Sequence, residues 1–168
     1  DTNSLPEGKI EQVQAKCDAV GKRFEYAFLL DALMDEQAQG ITIDTARIFF
    51  RTSLRHYIIL DAPGHIEFLR NMITGASHAE AALLVIDAHE GVQENSRRHG
   101  YMLSMLGVKH VIVLINKMDL VGHSQKAYEA LVEEYSAFLE KIGTTAERFI
   151  PICGLHGDNI ASQSPEMS

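Results

Sequence analysis

The sequence predicts an α/β domain built on a mainly parallel β-sheet, with helices on both faces and one antiparallel edge strand. Three observations carry that prediction. Two short, continuous apolar runs, Ala81-Ala82-Leu83-Leu84-Val85-Ile86 and Val111-Ile112-Val113-Leu114-Ile115, have the length and composition of strands buried on both faces. Each is followed by a stretch of helical period, Gln93–Leu106 and Ser124–Ile142, and alternation of this kind requires crossover connections. Upstream, two more strand-like runs are separated only by Ser53-Leu54-Arg55, a hairpin-length link that makes that pair antiparallel.

In chain order, residues 8–39 read as helical, broken near Gly21-Lys22, with Phe24, Phe28, Leu29 and Met34 on one stripe and Gly40 as the terminating C′ residue. Ala46–Thr52 and His56–Leu60 are the hairpin strands. Past Pro63 the apolar period lengthens, and Ile66–Ser77 suggests a helix. The two buried strands and their helices follow, and Arg148–Ile152 is a final short strand. Residues 1–160 make one domain, and 161–168, rich in Ser, Gln and Pro, read as a linker or a truncated end.

Composition narrows the function. With 46% hydrophobic and 23% charged residues, the 168-residue chain is globular in character rather than disordered. Fifteen basic against 23 acidic residues give a net charge of −8, which argues against broad capture of nucleic acid or of an anionic membrane. Its longest apolar run, Ala81–Ile86, is far short of a membrane span, and the start lacks a signal-peptide pattern. Cys17 and Cys153 match no metal or redox spacing, so a reduced, cytoplasmic chain is expected.

In parallel sheets, ligands bind beyond the carboxyl ends of the strands. Four candidate strands deliver polar or glycine-bearing sequence there: Asp61-Ala62-Pro63-Gly64-His65, Asp87-Ala88-His89-Glu90-Gly91, Asn116-Lys117-Met118-Asp119 and Cys153-Gly154-Leu155. An aspartate such as Asp61 can hold a hydrated Mg²⁺, and Gly64 lets a backbone N–H approach a terminal phosphate. The same four residues also fit a plain turn. Asp119 is better placed to be specific. A carboxylate there can accept both N–H donors of a guanine edge, which adenine lacks. Lys117 can cover the base plane, and Asn116 can tie neighbouring loops together. Thr42, in Gly40-Ile41-Thr42-Ile43-Asp44, offers a hydroxyl that can complete Mg²⁺ coordination while a γ-phosphate is present. Arg97-Arg98-His99 reads as a solvated helix face or as a contact for an acidic partner.

Asp61-x-x-Gly64, Asn116-Lys117-x-Asp119 and Cys153-Gly154-Leu155, with the Gly-Ile-Thr loop upstream, resemble the motif series of the P-loop NTPase-type GTPases, in order, over residues 1–160. Pro63-Gly64-His65 with Arg70-Asn71-Met72-Ile73-Thr74-Gly75-Ala76 is similar to the translation-factor branch. Gly91-Val92-Gln93 before Arg97-Arg98-His99, Leu106-Gly107-Val108-Lys109-His110 and Gly157-Asp158-Asn159 resemble the GTPase subunits of bacterial sulfate adenylyltransferases. The resemblance implies a cytoplasmic enzyme subunit using GTP/GDP and Mg²⁺. Its GTP hydrolysis would drive a small catalytic partner subunit that makes adenylyl sulfate from ATP and sulfate, with no nucleic acid and no membrane involved. By position, Thr42 and Asp61 would serve Mg²⁺, Gly64 the γ-phosphate, and His65 the attacking water. Asn116, Lys117 and Asp119 would read guanine, supported by the backbone of Cys153, Gly154 and Leu155. Ala62 stands where the branch usually has Thr, and Cys153 where it usually has Ser.

One departure is larger. No Gly-x-x-x-x-Gly-Lys-Ser/Thr occurs: Gly8-Lys9 is followed by Ile10, and Gly21-Lys22 by Arg23. The resemblance therefore implies that a phosphate loop and a first, central strand precede Asp1, and that these 168 residues alone hydrolyse no GTP. Two alternatives stay open at this point: a nucleotide-incompetent, partner-binding fragment, or an elongation-factor-like translational GTPase.

Overall fold

The computed structural model describes residues 8–19, 21, 46–64 and 69–167, in two compact units, residues 1–75 and 76–168. Residues 22–45, including Gly40 and Thr42, and residues 65–68, including His65, lie outside the described residues.

The first unit opens with helix α1 (Lys9–Ala19), which buries Val13 and Cys17 one turn apart on the same face. It stops before Gly21, whose φ of +68° is the left-handed geometry of a helix terminus. Strands β1 (Ala46–Arg51) and β2 (His56–Asp61) pair antiparallel, from Ala46 opposite Asp61 to Arg51 opposite His56. Thr52 builds the turn. Its N–H donates to the Arg55 carbonyl at 2.9 Å, and its Oγ1 accepts from the Leu54 and Arg55 amides at 3.2 Å. Phe50 and Tyr57 stack across the strands with ring centroids 4.9 Å apart, the kind of cross-strand pair that stabilises a hairpin. Beyond Asp61, Pro63 is buried and Gly64 is exposed. Helix α2 (Leu69–Ala76) lies within the predicted Ile66–Ser77, of which residues 66–68 are outside the described residues, and buries Met72.

The second unit is a βαβαβ array: β3 (Ala81–Asp87), α3 (Glu94–Met105), β4 (His110–Asn116), a 3₁₀ turn (Met118–Val121), α4 (Gln125–Lys141) and β5 (Arg148–Pro151). Its sheet is parallel in the order β3-β4-β5. Asp87 sits opposite Asn116, and Ile115 opposite Pro151, so all three strands finish at one edge. Leu84 and Ile86 of β3 and Val111, Val113 and Ile115 of β4 form the core with Leu103 of α3 and Leu131, Tyr135, Phe138 and Leu139 of α4. Leu83 and Val85, which point the other way, are 66% and 55% exposed. The continuous apolar run predicts burial on both faces, but among the described residues of this unit both crossover helices return on the same side and cover one face.

Helix α4 is capped by Ser124, whose Oγ accepts from the Ala127 amide at 3.3 Å. Its contact with α3 is close. Tyr135 is fully buried and its hydroxyl donates to the Ser96 carbonyl at 2.7 Å. A Cβ at Gly100 would lie 2.9 Å from the Tyr135 hydroxyl oxygen and 3.0 Å from Phe138, so only glycine lets the helices approach there. The basic cluster is a helix surface. Arg97 pairs with Glu134 at 2.7 Å and lies over the Phe138 ring, while Arg98 pairs with Glu94 one turn back. In the terminal segment, Ser164 is buried. Its N–H donates to Asn159 Oδ1 at 2.7 Å, its hydroxyl to Asp158 Oδ1 at 2.9 Å, and Met167 packs against the core. No helix among the described residues is long and apolar enough to cross a membrane.

Candidate functional site

The common carboxyl edge of β3, β4 and β5 gathers three loops, and the backbone ties them together. The Ala88 amide donates to the Asn116 carbonyl at 2.8 Å, and the Met118 amide to the Ile152 carbonyl at 3.3 Å. Asn116 completes the link. Its Oδ1 accepts from the Lys117 amide at 2.7 Å and from the Gly154 amide at 2.9 Å, so one side chain holds the turns after β4 and β5 in a fixed relation.

Lys117 adopts a left-handed backbone with φ of +61°. For a residue with a Cβ this costs about 1–2 kcal/mol, offset by its amide bond to Asn116 and by an ion pair. Its Nζ lies 2.6 Å from Asp87 Oδ2, although the lysine side chain itself is half exposed. The partner is rigid: Asp87 Oδ1 accepts from the His89 amide at 2.8 Å and from the Glu90 amide at 3.2 Å. Burial pulls the Asp87 pKa upward, but Lys117 and the two amides outweigh it and hold the group below its ordinary value. The same bond to Asp87 raises the pKa of Lys117.

Asp119, two residues after Lys117, is the second residue of the 3₁₀ turn. Its Oδ1 accepts from the Cys153 thiol at 3.0 Å, and that bond is the main reason its carboxyl pKa is depressed. Cys153 is fully buried. Burial, then the neighbouring carboxylate, pushes its thiol upward, so the thiol is the donor and the carboxylate the acceptor. The loop closes when the Gly157 amide donates to the Cys153 carbonyl at 2.8 Å, which leaves Leu155 exposed at the rim.

Of the residues singled out from sequence, Asn116, Lys117, Asp119, Cys153, Gly154 and Leu155 thus meet at one edge. Asp61 ends β2 and Gly64 lies three residues beyond it, both in the first unit. Thr42 and His65 lie outside the described residues. Asp87 was a strand-end residue with no assigned part, and its bond to Lys117 gives it one. The available signal was an aspartate at the end of a buried strand with backbone amides two and three residues on, an arrangement that fixes a carboxylate. Asp87→Ala is expected to speed hydrogen exchange at the His89 and Glu90 amides by about tenfold, the worth of a lost hydrogen bond. Asp87→Asn, which keeps an acceptor oxygen, should change it less. Equal, unchanged exchange in both variants would remove Asp87 as the anchor of this loop.

The edge therefore presents a carboxylate held by a thiol, a lysine drawn aside by a second carboxylate, and backbone N–H groups of a short loop. A planar heterocycle bearing two adjacent N–H donors suits that set. The family model of the elongation factor Tu GTP-binding domain matches residues 6–165. Sulfate adenylyltransferase subunit 1 of Francisella tularensis is 47% identical over 152 residues, covering 90% of this chain and 32% of that protein. The protein of the same name in Colwellia psychrerythraea is 44% identical over 158 residues, covering 94% and 34%. The bifunctional enzyme CysN/CysC of Xylella fastidiosa is 45% identical over 147 residues, covering 88% and 24%. The chain thus spans about a third or less of the length of these relatives. Among solved structures, a bacterial selenocysteine-specific elongation factor matches with a TM-score of 0.68 at 26% identity, over 89% of this chain and 24% of that one. Elongation factor SelB of Methanococcus maripaludis, in complex with a GTP analogue, matches with a TM-score of 0.60 at 25% identity, over 69% and 25%.

Proposed function

The chain belongs to the elongation factor Tu GTP-binding domain family, and from that premise we propose that its β4 and β5 loops read guanine. Asp119 accepts the N1 and exocyclic amine protons of the base, and each carboxylate oxygen has lone pairs to spare beside the Cys153 bond. The stem of Lys117, anchored through its ammonium to Asp87, lies along the base plane. Asn116 keeps the Gly154 amide in register with both. The observation that carries this reading is the Asn116 clamp with the oriented Asp119 carboxylate beside it. Adenine would leave that carboxylate facing no donor.

In the same proposal, Asp61 and Thr42 hold Mg²⁺, Gly64 gives its amide to the γ-phosphate, and His65 orients the attacking water. Asp61 suits the cation as a carboxylate at the end of a strand, a hard oxygen ligand. The ion would supply charge neutralisation for the phosphates. Nearly half of the aligned residues match sulfate adenylyltransferase subunit 1, against about a quarter for the elongation factors. That difference favours sulfate activation. We place the domain in a cytoplasmic large subunit whose GTP hydrolysis drives adenylyl sulfate formation from ATP and sulfate by a small catalytic subunit.

Titration of the full-length protein with fluorescent GDP is expected to show binding that GTP and GDP reverse and ATP does not. Equal displacement by ATP would overturn the guanine reading. His65→Ala in the same protein, assayed with its partner subunit, should lower GTP turnover by about tenfold or more with nucleotide affinity nearly unchanged, because water is positioned only on the way to the transition state. Unchanged turnover would remove His65 from the reaction.

A further inference from the structure

Asp119, Cys153 and His156 each bring one ligand atom to a common point. A carboxylate oxygen, the thiol sulfur and a ring nitrogen all lie within 4.8 Å of one another. We propose that these three residues form a binding site for a thiophilic divalent cation of the Zn²⁺ class, taken up when the guanine pocket is empty. The cation role for Asp119 rests on coordinates alone. Its competition with nucleotide rests on the guanine reading above.

The donor set is the argument. Zinc takes sulfur at about 2.3 Å and nitrogen or oxygen at about 2.0–2.2 Å, which in tetrahedral geometry sets ligand atoms roughly 3.3–3.7 Å apart. The Cys153 sulfur and Asp119 oxygen are 3.0 Å apart and must open slightly. His156 is exposed on the loop after Cys153 and can swing inward. Two anchored ligands and one exposed one suit a cation that enters from solvent. Three protein ligands leave a fourth position for water, the arrangement of exchangeable rather than structural zinc.

The proton balance is simple. The cation takes the place of the thiol proton now shared with Asp119, forming a sulfur–metal bond and releasing one proton to solvent. The sequence element responsible is Cys153, whose thiol supplies the soft donor of the set. A serine hydroxyl can make the same bond to Asp119 but is a poor zinc ligand. Nearby, the His123 Nε2 is shielded from solvent, makes no hydrogen bond among the described residues and lies 3.9 Å from Asp158 Oδ2, outside the ligand set. A cation on the Asp119 carboxylate sets a positive charge beside the N–H donors of the base, so cation and guanine would compete for this carboxylate.

Co²⁺ titration of the nucleotide-free, full-length protein is the test, with Zn²⁺ displacement giving the affinity. The expected result is a thiolate-to-cobalt charge-transfer band, absent in Cys153→Ser. Affinity should fall by about tenfold or more in His156→Ala, which removes a ligand from an exposed loop and leaves GDP affinity unchanged. A band that persists in Cys153→Ser, or equal affinity in all three proteins, would overturn the site. Saturating GDP should abolish the band. If the band forms and depends on Cys153 but ignores GDP, the cation site stands and Asp119 is removed from guanine recognition.

Discussion

Asp119→Asn in the full-length protein is expected to weaken GDP binding by about 100-fold or more and to improve binding of xanthosine diphosphate. The carboxylate offers the base edge two acceptors, and each charge-assisted bond contributes about 1.5–3 kcal/mol. An amide keeps one acceptor and turns the other into a donor that faces a guanine N–H. Xanthine carries a carbonyl where guanine has its amine, so the reversed group suits it. The amide oxygen can still accept from the Cys153 thiol, which preserves the loop. Competition of fluorescent GDP by xanthosine diphosphate measures the change directly. A variant that kept full preference for GDP would remove Asp119 from base recognition.

Tyr135→Ala should cost about 3–5 kcal/mol, the range for deleting a large aromatic from a packed core. Tyr135 is fully buried, tilts against Phe138 at a centroid distance of 5.5 Å, and gives its hydroxyl to a helix carbonyl. Loss on this scale approaches the whole stability of an ordinary domain. Tyr135→Phe isolates the hydroxyl, and should cost about 1–2 kcal/mol because the Ser96 carbonyl loses its donor. Urea unfolding followed by circular dichroism separates the two. Tyr135→Ala and Tyr135→Phe of equal stability would mean that the ring contributes nothing, contrary to its burial.

The parallel sheet was legible because its strands are short, apolar and flanked by turn residues. Val111–Ile115 and Ala81–Ile86 lie within the observed β4 and β3, which extend to Asn116 and Asp87 at the site edge. Ser124 and Ile142, read as the ends of a helix, are its caps. The hairpin was legible from its three-residue link. One-sided burial of β3 was not, because an apolar run records what each face tolerates and not which side a crossover helix takes. At the site, Asn116-Lys117-Met118-Asp119 could be located from its place after a buried strand. Its internal wiring could not. The thiol bond to Asp119 and the ion pair to Asp87 join residues more than twenty-five positions apart, and local pattern carries no such information.

The parallel register has a kinetic side. Ala81 pairs with His110 and Ile112 with Arg148, so no strand of this sheet can zip to its neighbour through a tight turn. Each pairing must wait for a long loop to close, and loop closure costs entropy before any contact returns it. During synthesis β3 leaves the ribosome first, with Leu83, Leu84, Val85 and Ile86 unpaired until β4 emerges. β4 in turn waits for residues as far as Pro151 before its second edge is satisfied. Before β4 emerges, the nascent chain displays an apolar segment with both edges open, the kind of exposure that favours aggregation. The third of these strands, only four residues long, is the one that covers the second edge of β4.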